Sequence, residues 1–315
     1  MWVVRRVVVA AILVWIVASV VFLAIRLVPG DPAELMLSQG GVSPDPAAVA
    51  ELRDQLGLAR PIWAQYWANL QALAAGDLGV SLTDQASVAG QVFARLPRTL
   101  ELIAAAAVLS VAFGIPMGLL AAFRRGGWLD RLVMALSGLS LSVPVFVVGT
   151  VLVLVLAQWL EVLPAGGFTP LARDPARHFR QLLMPSLTIA ASLAPVVLGM
   201  TRAAVIDVIG REYVRTARAK GVAPAAVVLG HVLRNALIPV VTVLALHLGT
   251  LLGGTVLVEY VFNYPGLSGL LVDSVNARDY PMVQGVVLVI SVLFVLLNLA
   301  MDLIYGLLDP RVRHA

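Results

Sequence analysis

Six stretches of this 315-residue chain are long and apolar enough to cross a bilayer, and they restrict the fold more than any motif does. A spanning helix needs about 20 mostly apolar residues, and it must satisfy its own backbone because hydrocarbon offers no water. The stretches lie near Val7–Leu27, Leu100–Phe123, Leu132–Ala157, Leu183–Val205, Leu237–Leu257 and Met282–Leu308. Composition agrees. Hydrophobic residues make up 60% and charged residues 13%, and the mean hydropathy is +0.94. Soluble domains are nearer half apolar and a quarter charged. The expected fold class is an all-α integral membrane protein with six transmembrane helices.

Arg5 and Arg6 precede the first stretch, as they would in a signal peptide. Its apolar run exceeds the roughly 7–15 residues of a signal core, and no A-x-A site follows promptly. It reads as a retained anchor. Loop charges set the orientation, because Lys and Arg concentrate on the cytoplasmic side. With the N-terminus inside, the inner segments hold thirteen of the 22 basic residues, including Arg124, Arg125, Arg131, Arg202, Arg211, Arg215, Arg218, Lys220 and Arg234. Both termini are therefore expected in the cytoplasm. Arg173, Arg177 and Arg180, on the outer side, run against this rule.

Three parts follow along the chain: an N-terminal anchor at 1–28, an extracytoplasmic loop with short helices at 29–98, and a five-helix core at 99–315. The loop is too long for a simple connector. Ser43-Pro-Asp-Pro46 reads as a helix start and Gly57 as its stop. In "RPIWAQYWANL", Trp63, Tyr66, Trp67 and Leu70 fall on one helical face, suited to the membrane interface or to the chain's own spans. Pro265 and Gly266 mark a turn beyond the fifth span.

Most enzymatic chemistry is excluded. There is no Cys, so neither disulfides nor thiolates take part. "GLSG" (Gly266–Gly269) has the G-x-S-G form of an intramembrane serine protease. That reaction needs a histidine from a later span, and the only later histidine is His314 in the tail. The sole lysine, Lys220, is followed by Gly221 and Val222, so no phosphate-binding G-x-x-x-x-G-K-[ST] loop exists. Four scattered histidines show no metal-ligand spacing. Ionisable or polar groups within spans are few: Glu101 and Glu259 near outer ends, His247 in mid-span, and Asn298 with Asp302 toward the inner end of the sixth span. His247 and Asn298 are expected to bond between helices. Gly114-x-x-x-Gly118 and Gly249-x-x-x-Gly253 permit close helix packing. Pro116, Pro144 and Pro195 should kink the second, third and fourth spans.

The inner segment at about 206–236 is too long for a hairpin. "IGREYVRTARAKG" has no Gly or Pro between Arg211 and Gly221, and its residues mostly favour helix. Gly221 ends that helix or permits a sharp turn, and Pro224 starts a second helix. Val227, Val228 and Val232 give the second helix an apolar side, and Ile238-Pro239 opens the next span. A solvated basic loop would explain the arginines. It would not explain the helix–glycine–helix layout, or small Ala217 and Ala219 among charges, which would let the helix lie close to a partner.

These residues carry a resemblance. "RTARAKG" (Arg215–Gly221) with "LIP" (Leu237–Pro239) looks like the EAA loop of permease subunits in ABC importers of the dipeptide/oligopeptide/nickel type, with Arg215 where the wider pattern has Glu. The likeness continues in "RLVPGDPA" (Arg26–Ala33), "GDLGVSL" (Gly76–Leu82), "RLPRTLEL" (Arg95–Leu102), "SVPVFVVG" (Ser142–Gly149), "HVLRNALIPVVT" (His231–Thr242), "VLVEYVFNYPGLSGLLVDSVNARDYPMVQG" (Val256–Gly285) and "LIYGLLDPRVR" (Leu303–Arg313). It implies a type I ABC importer permease fold in the cell membrane and alternating access for peptides or similar small solutes. It implies as partners a second homologous permease, two cytoplasmic ATPases and an extracytoplasmic binding protein. The chain itself would bind no cofactor, because ATP and Mg belong to the ATPases. Arg215, Thr216, Ala217, Arg218, Ala219, Lys220 and Gly221 would form the coupling helix that seats in an ATPase groove. Arg215 and Arg218 could pair there with acidic residues, or hold lipid headgroups. A self-contained secondary transporter or channel is the alternative. It would need internal repeats and polar midplane sites, and no convincing repeat is present. A passive membrane scaffold would show no ATPase coupling. The cargo is not written in this chain, because the binding protein largely selects it.

Overall fold

The computed structural model describes residues 2–27, 32–37, 44–55 and 57–308. Among these residues the only extended pairing is one isolated antiparallel bridge between Val80 and Ser87. The helices in order are α1 (Trp2–Leu27), α2 (Pro32–Leu37), α3 (Pro46–Gln55), α4 (Ile62–Ala74), α5 (Val88–Phe123) and α6 (Trp128–Ser142). Next come α7 (Val145–Leu152), which widens into a π-helical turn over Val153–Trp159, α8 (Pro175–Ile209) and α9 (Glu212–Ala219). Then α10 (Pro224–Ala226), a second π-helical stretch at Val227–Leu233 and α11 (Arg234–Gly254) follow without a break. Finally come α12 (Val256–Val261), α13 (Leu267–Asn276) and α14 (Tyr280–Leu308).

Five helices among the described residues are each long and apolar enough to span, and a sixth span is available only as the bent pair α6–α7. The third stretch therefore does more than kink. Pro144 lacks an N–H and pushes the residue before it out of the helical region. Val143 (ψ 127°) and Pro144 (ψ 137°) are both extended, and the helix axis turns by 102° between the halves. The pair nevertheless travels the length of α8 in the opposite direction. Asp130 meets Arg202, the Ser140 hydroxyl donates to the Ala191 carbonyl at 2.6 Å, Gly149 abuts Thr188, and Ala157, Val162 and Leu163 share a cleft with Asp174, Ala176 and Arg177. A re-entrant loop would return to the end it left. This pair reaches both ends of α8, the path expected of one broken span. By contrast, α5 runs on through Pro116, and α8 through Pro185 and Pro195.

The chain folds as two compact units: 1–97 with 266–315, and 98–265. This division cuts across the expected core at 99–315, because the last helix belongs with the first. In the first unit α14 packs along α1. The expected aromatic face of α4 divides. The Tyr66 hydroxyl lies 2.7 Å from Ser19 Oγ and its ring meets Phe22 edge-on, while Trp63 and Trp67 stay exposed. Asp279 is buried and accepts from Ser81 Oγ at 2.5 Å and from the Leu82 and Met282 amides, which fastens "GDLGVSL" to the start of α14. The second span starts twelve residues before its expected beginning. Val88 and Val92 sit in a core with Leu267, Leu270, Met282 and Val286, so burial carries the helix beyond the apolar stretch. The Ser43 helix start and the tail after Leu308 lie outside the described residues, although helix α3 from Pro46 and a positive φ of +68° at Gly57 are seen. Asn298 bonds within its own helix, Nδ2 donating to the Phe294 carbonyl at 2.8 Å, rather than between helices. Within a helix the i−4 carbonyl is the nearest acceptor for such a side chain.

In the second unit one apolar core holds Leu102, Ala106, Leu182, Met184, Ile189, Val258 and Phe262. A second gathers Leu193, Val197 and Val240. Gly114 and Gly118 of α5 lie against α8. A β-carbon at Gly114 would come 2.8 Å from Val197 Cγ1, and one at Gly118 would come 2.6 Å from the Leu198 carbonyl oxygen. Both distances are below van der Waals contact, so only glycine lets the two backbones approach this closely. Gly249 is buried within α11, and the surroundings of Gly253 lie outside the described residues.

Candidate functional site

The site is built where α8 ends. Gly210 breaks the 35-residue helix, and Arg211 (ψ 145°) turns the chain so that α9 starts in a new direction. Two residues of α9 point inward, Val214 and Ala217, spaced i and i+3 on one helical face. They pack with Val205 and Val208 of α8, Ala122 of α5, Val227 and Val232 of the π-helical stretch, and Ala236 of α11. Burying a valine stabilises such a contact by about 1.5–3 kcal/mol. A two-turn helix is marginal alone in water, so this seat is what keeps α9 formed.

The small Ala217 therefore packs against the chain itself. Its small size was expected to serve a partner, and within this chain it serves the valine layer beneath α9. Ala219 is exposed, as are Glu212, Tyr213, Arg215, Thr216, Arg218 and Lys220. The Thr216 hydroxyl donates to the Glu212 carbonyl at 3.0 Å, and Arg215 donates to Glu212 Oε1 at 3.0 Å. Arg215 is thus already paired within its own helix. Arg218 and Lys220 have no ion pair among the described residues. The outward face of α9 carries two free cations, a tyrosine ring and a short polar surface.

Gly221 stops the helix. Its φ is +76°, its amide donates to the Arg218 carbonyl at 3.0 Å, and the Val222 amide reaches back to the Ala217 carbonyl at 3.3 Å. This pair of bonds is a Schellman motif, which needs a left-handed residue at its corner. Among the described residues, apart from its chain neighbours, nothing lies within 4 Å of where a β-carbon on Gly221 would stand, so the conformation calls for glycine. Pro224 then opens α10 at its first position, where its missing N–H costs nothing. The second helix does not stand apart as expected. It runs through the π-helical stretch, Gly230 included, straight into α11, because no proline or extended residue interrupts it. Pro239 consequently lies inside α11, not at its first turn.

Arg202 and Asp130 brace this end of the unit. Arg202 Nε donates to Asp130 Oδ1 at 2.6 Å and Nη2 to Oδ2 at 2.8 Å, while the Gly126 amide also donates to Oδ2 at 2.9 Å. A two-point guanidinium–carboxylate bond fixes orientation as well as distance. It ties the turn after α5 to α8 one helical turn before the α9 seat. Arg202 was counted among the charges marking the inner side, and the brace was missed. The one available signal was an acidic residue three positions after the Gly126-Gly127 turn. At the surface, Arg211 donates to Asp207 at 2.7 Å, which holds its guanidinium above its ordinary pKa.

The arrangement offers no nucleophile–base pair and, among the described residues, no cluster of metal-binding side chains. It offers a short helix, held on one face and presented on the other. Known proteins give this a context. The N-terminal part of binding-protein-dependent transport system membrane components matches residues 1–103, and the Binding-protein-dependent transport system inner membrane component matches residues 114–314. The glutathione transport system permease protein GsiC of Escherichia coli K12 is 42% identical over 300 residues, covering 95% of this chain and 94% of its own. Its counterpart in Salmonella paratyphi A is 42% identical over 299 residues, with the same coverage. Among solved structures, an amino acid ABC transporter with histidines aligns over 70% of this chain and 94% of its own, at 16% identity and a TM-score of 0.47. The chain belongs to the family of binding-protein-dependent transport system inner membrane components, the permease subunits of ABC importers.

Proposed function

We propose that this permease serves a small-peptide importer of the glutathione type, and that α9 is the element through which ATP hydrolysis reaches it. Membership of the family makes the chain a transport subunit and not an enzyme, working with a binding protein and ATPases. The proposal adds the arrangement. One copy of this chain pairs with a homologous permease over two cytoplasmic ATPases, and a binding protein delivers cargo from the far side. Both termini are cytoplasmic. ATP and Mg stay on the ATPases.

The observation that carries the reading is the division of α9 into two faces. Val214 and Ala217 are buried in the permease, while Tyr213, Thr216, Arg218, Ala219 and Lys220 are offered outward. A helix fastened this way transmits a push on its outer face to α8, α11 and the end of α5, which all meet at its seat. Closure of the ATPases on ATP would move α9, and the spans would exchange one packing for another. Arg218 and Lys220 suit an acidic ATPase surface. Cargo of the peptide class is inferred from the relatives' glutathione transport.

The test is site-directed cross-linking in the assembled complex. This chain has no cysteine, so Thr216→Cys gives a single reactive site on the outer face. It should cross-link to a cysteine in the ATPase groove and do so at a rate that changes with ATP. Reconstituted complex should take up glutathione when its binding protein is present. Absence of any ATPase cross-link would remove α9 from the coupling path, and uptake of a different solute class would reassign the cargo alone.

A further inference from the structure

At the end of α8 away from α9, a cleft of about 480 Å³ opens between the start of that helix and the end of the π-helical turn after α7. Its volume falls within the roughly 300–1,000 Å³ of small-ligand clefts. Ala157 and Leu163 line it together with the charged side chains of Glu161, Asp174, Arg177 and Arg180. The rotation of α8 here is set by His178, which is buried with Nε2 2.8 Å from Glu101 Oε1 and Nδ1 2.8 Å from the Thr169 carbonyl oxygen. Arg177 and Arg180, spaced i and i+3, are left exposed on one face. Asp174 caps the helix, its Oδ1 accepting from the Arg177 amide at 3.0 Å. Among the described residues, no ion pair or side-chain hydrogen bond engages the Arg177 or Arg180 guanidinium or the Glu161 carboxylate.

Height is the first feature that separates this cleft from a solvated rim. Helix α8 carries no charged residue from Gln181 to Thr201, between Arg180 and Arg202. From one arginine to the other it rises about 33 Å, close to the roughly 30 Å of hydrocarbon. The third span likewise has no charge from Leu132 to Leu160, and it ends on Trp159, 72% exposed, just before Glu161. The cleft therefore lies at headgroup level, beside an indole of the kind that marks the membrane interface. The second feature is the backbone of Glu161. Its φ is +51°, in the left-handed region that favours glycine. The turn there closes through the Val162 and Leu163 amides, which donate to the Leu156 carbonyl at 3.0 and 3.3 Å, and it needs no side chain at Glu161. A carboxylate stands at the cleft against the preference of its own backbone.

The charges select the ligand. A plain anion drawn to the two arginines would also meet Glu161 and Asp174, and a plain cation would meet the reverse. A ligand with both signs a few bonds apart suits all four. At headgroup level that ligand is a phospholipid whose phosphate is joined to an ammonium. We propose that the cleft binds a phospholipid of the ethanolamine type. Arg177 and Arg180 donate to the phosphate, Glu161 accepts from the ammonium, and the acyl chains run down beside Trp159. Guanidinium groups suit phosphate because they present several N–H groups in one plane. A choline headgroup has no N–H to offer Glu161, and a glycerol headgroup has no cation, so both are held less well. The site gives a lipid partner to two of the three arginines that run against the loop-charge rule. It stands independently of the coupling role of α9 and of the cargo.

The experiment uses the full complex purified in detergent. Phosphatidylethanolamine, phosphatidylcholine or phosphatidylglycerol with the same acyl chains is titrated in, and native mass spectrometry counts the lipid retained. The difference between wild type and variant isolates this cleft from lipid held elsewhere on the complex. Wild type should retain phosphatidylethanolamine best. Arg177→Gln combined with Arg180→Gln should weaken its retention about tenfold, as loss of charge-assisted bonds to the phosphate requires. Glu161→Gln should keep the phosphate contact and lose most of the preference for ethanolamine over choline. Glu161→Gly guards against a damaged turn. Glycine adopts the φ of Glu161 freely, so this variant should melt no lower than wild type and still lose the preference. Unchanged retention in the double arginine variant would overturn the site, as would a full ethanolamine preference in both Glu161 variants. If the arginine changes weakened association of the binding protein and left lipid retention alone, the cleft would belong to that protein and the lipid site would be wrong. Displacement of the retained lipid by glutathione would overturn it too, by giving the cleft to cargo.

Discussion

Arg202 holds Asp130 through two parallel bonds of 2.6 and 2.8 Å, and the pair sits between the turn after α5 and the base on which α9 rests. A guanidinium fork fixes the rotation of α6 against α8 as well as their distance. Asp130→Asn should lower the melting temperature of the purified complex and weaken stimulated hydrolysis. Arg202→Lys should do the same more mildly, since an ammonium keeps the charge and loses the fork. The exchange Asp130→Arg with Arg202→Asp should recover part of the loss. A double exchange no better than the sum of the two single changes would show that the two residues act separately.

Gly221 gives a sharper test of the helix stop. Its φ of +76° suits glycine, and a non-glycine residue held there costs about 1–2 kcal/mol. Gly221→Val should therefore insert and reach the membrane normally while losing stimulated hydrolysis and uptake, because the strain falls on α9 and not on the spans. Asparagine tolerates the left-handed region best among the other residues, so Gly221→Asn should retain most of the coupling. Uptake at matched membrane abundance is the measurement. Equal failure of both variants would mean that the partner's closeness, rather than backbone conformation, demands glycine.

How much of this was legible in the sequence depends on whether a feature is local. Gly221 follows a proline-free helical run and precedes Pro224, so the helix stop could be read directly. The apolar stretches gave the spans for the same reason. Ala217 could not be assigned, because a small residue among charges looks the same whether it faces a partner or its own core. The register of Val214 with Ala217 decides it only once the valines of α8 are in place. Pro144 signalled a disturbance, but a 102° turn rather than a kink depends on what α8 offers each half. Pro239 was misread because "LIP" marks an apolar start, while the helix itself begins fifteen residues earlier at Pro224. His178 and Glu101 stand 77 residues apart, a pairing that no local pattern announces.

Ala217 and Ala219 separate the two faces of α9. Ala217 is buried over the valine layer and Ala219 faces outward. Enlarging a packed core position costs about 1–3 kcal/mol. Ala217→Leu should lift α9 from its seat, expose it to protease in membranes even before an ATPase is bound, and abolish stimulated hydrolysis in the assembled complex. Ala219→Leu should leave α9 seated and protease-resistant, with any loss appearing only in ATPase association. Limited proteolysis of the permease alone, compared with pull-down of the ATPase, distinguishes these outcomes. If the two variants behaved alike in both assays, the two-faced helix would be wrong.

The last prediction concerns the broken span. If α6 and α7 cross as one, the residues before α6 and those after the π-helical turn lie on opposite sides of the membrane. The antiparallel path along α8 requires this, from Asp130 beside Arg202 to Ala157 and Val162 beside Asp174 and Arg177. Between residues 177 and 202, α8 rises about 1.5 Å per residue, or about 38 Å, which exceeds the roughly 30 Å of hydrocarbon. The naturally cysteine-free chain makes the test clean. Single cysteines at Arg125 and Thr216, both exposed, should react with an impermeant maleimide only after the cytoplasmic face is opened. Single cysteines at Arg173 and Arg177, also exposed, should react from the outside in intact cells. Labelling of Arg125→Cys and Arg173→Cys from the same side would mean that the bent pair dips in and returns, and the count of crossings would fall to five. The outer arginines would then obey the charge rule after all, and α9, at the far end of α8, would lie outside the cell.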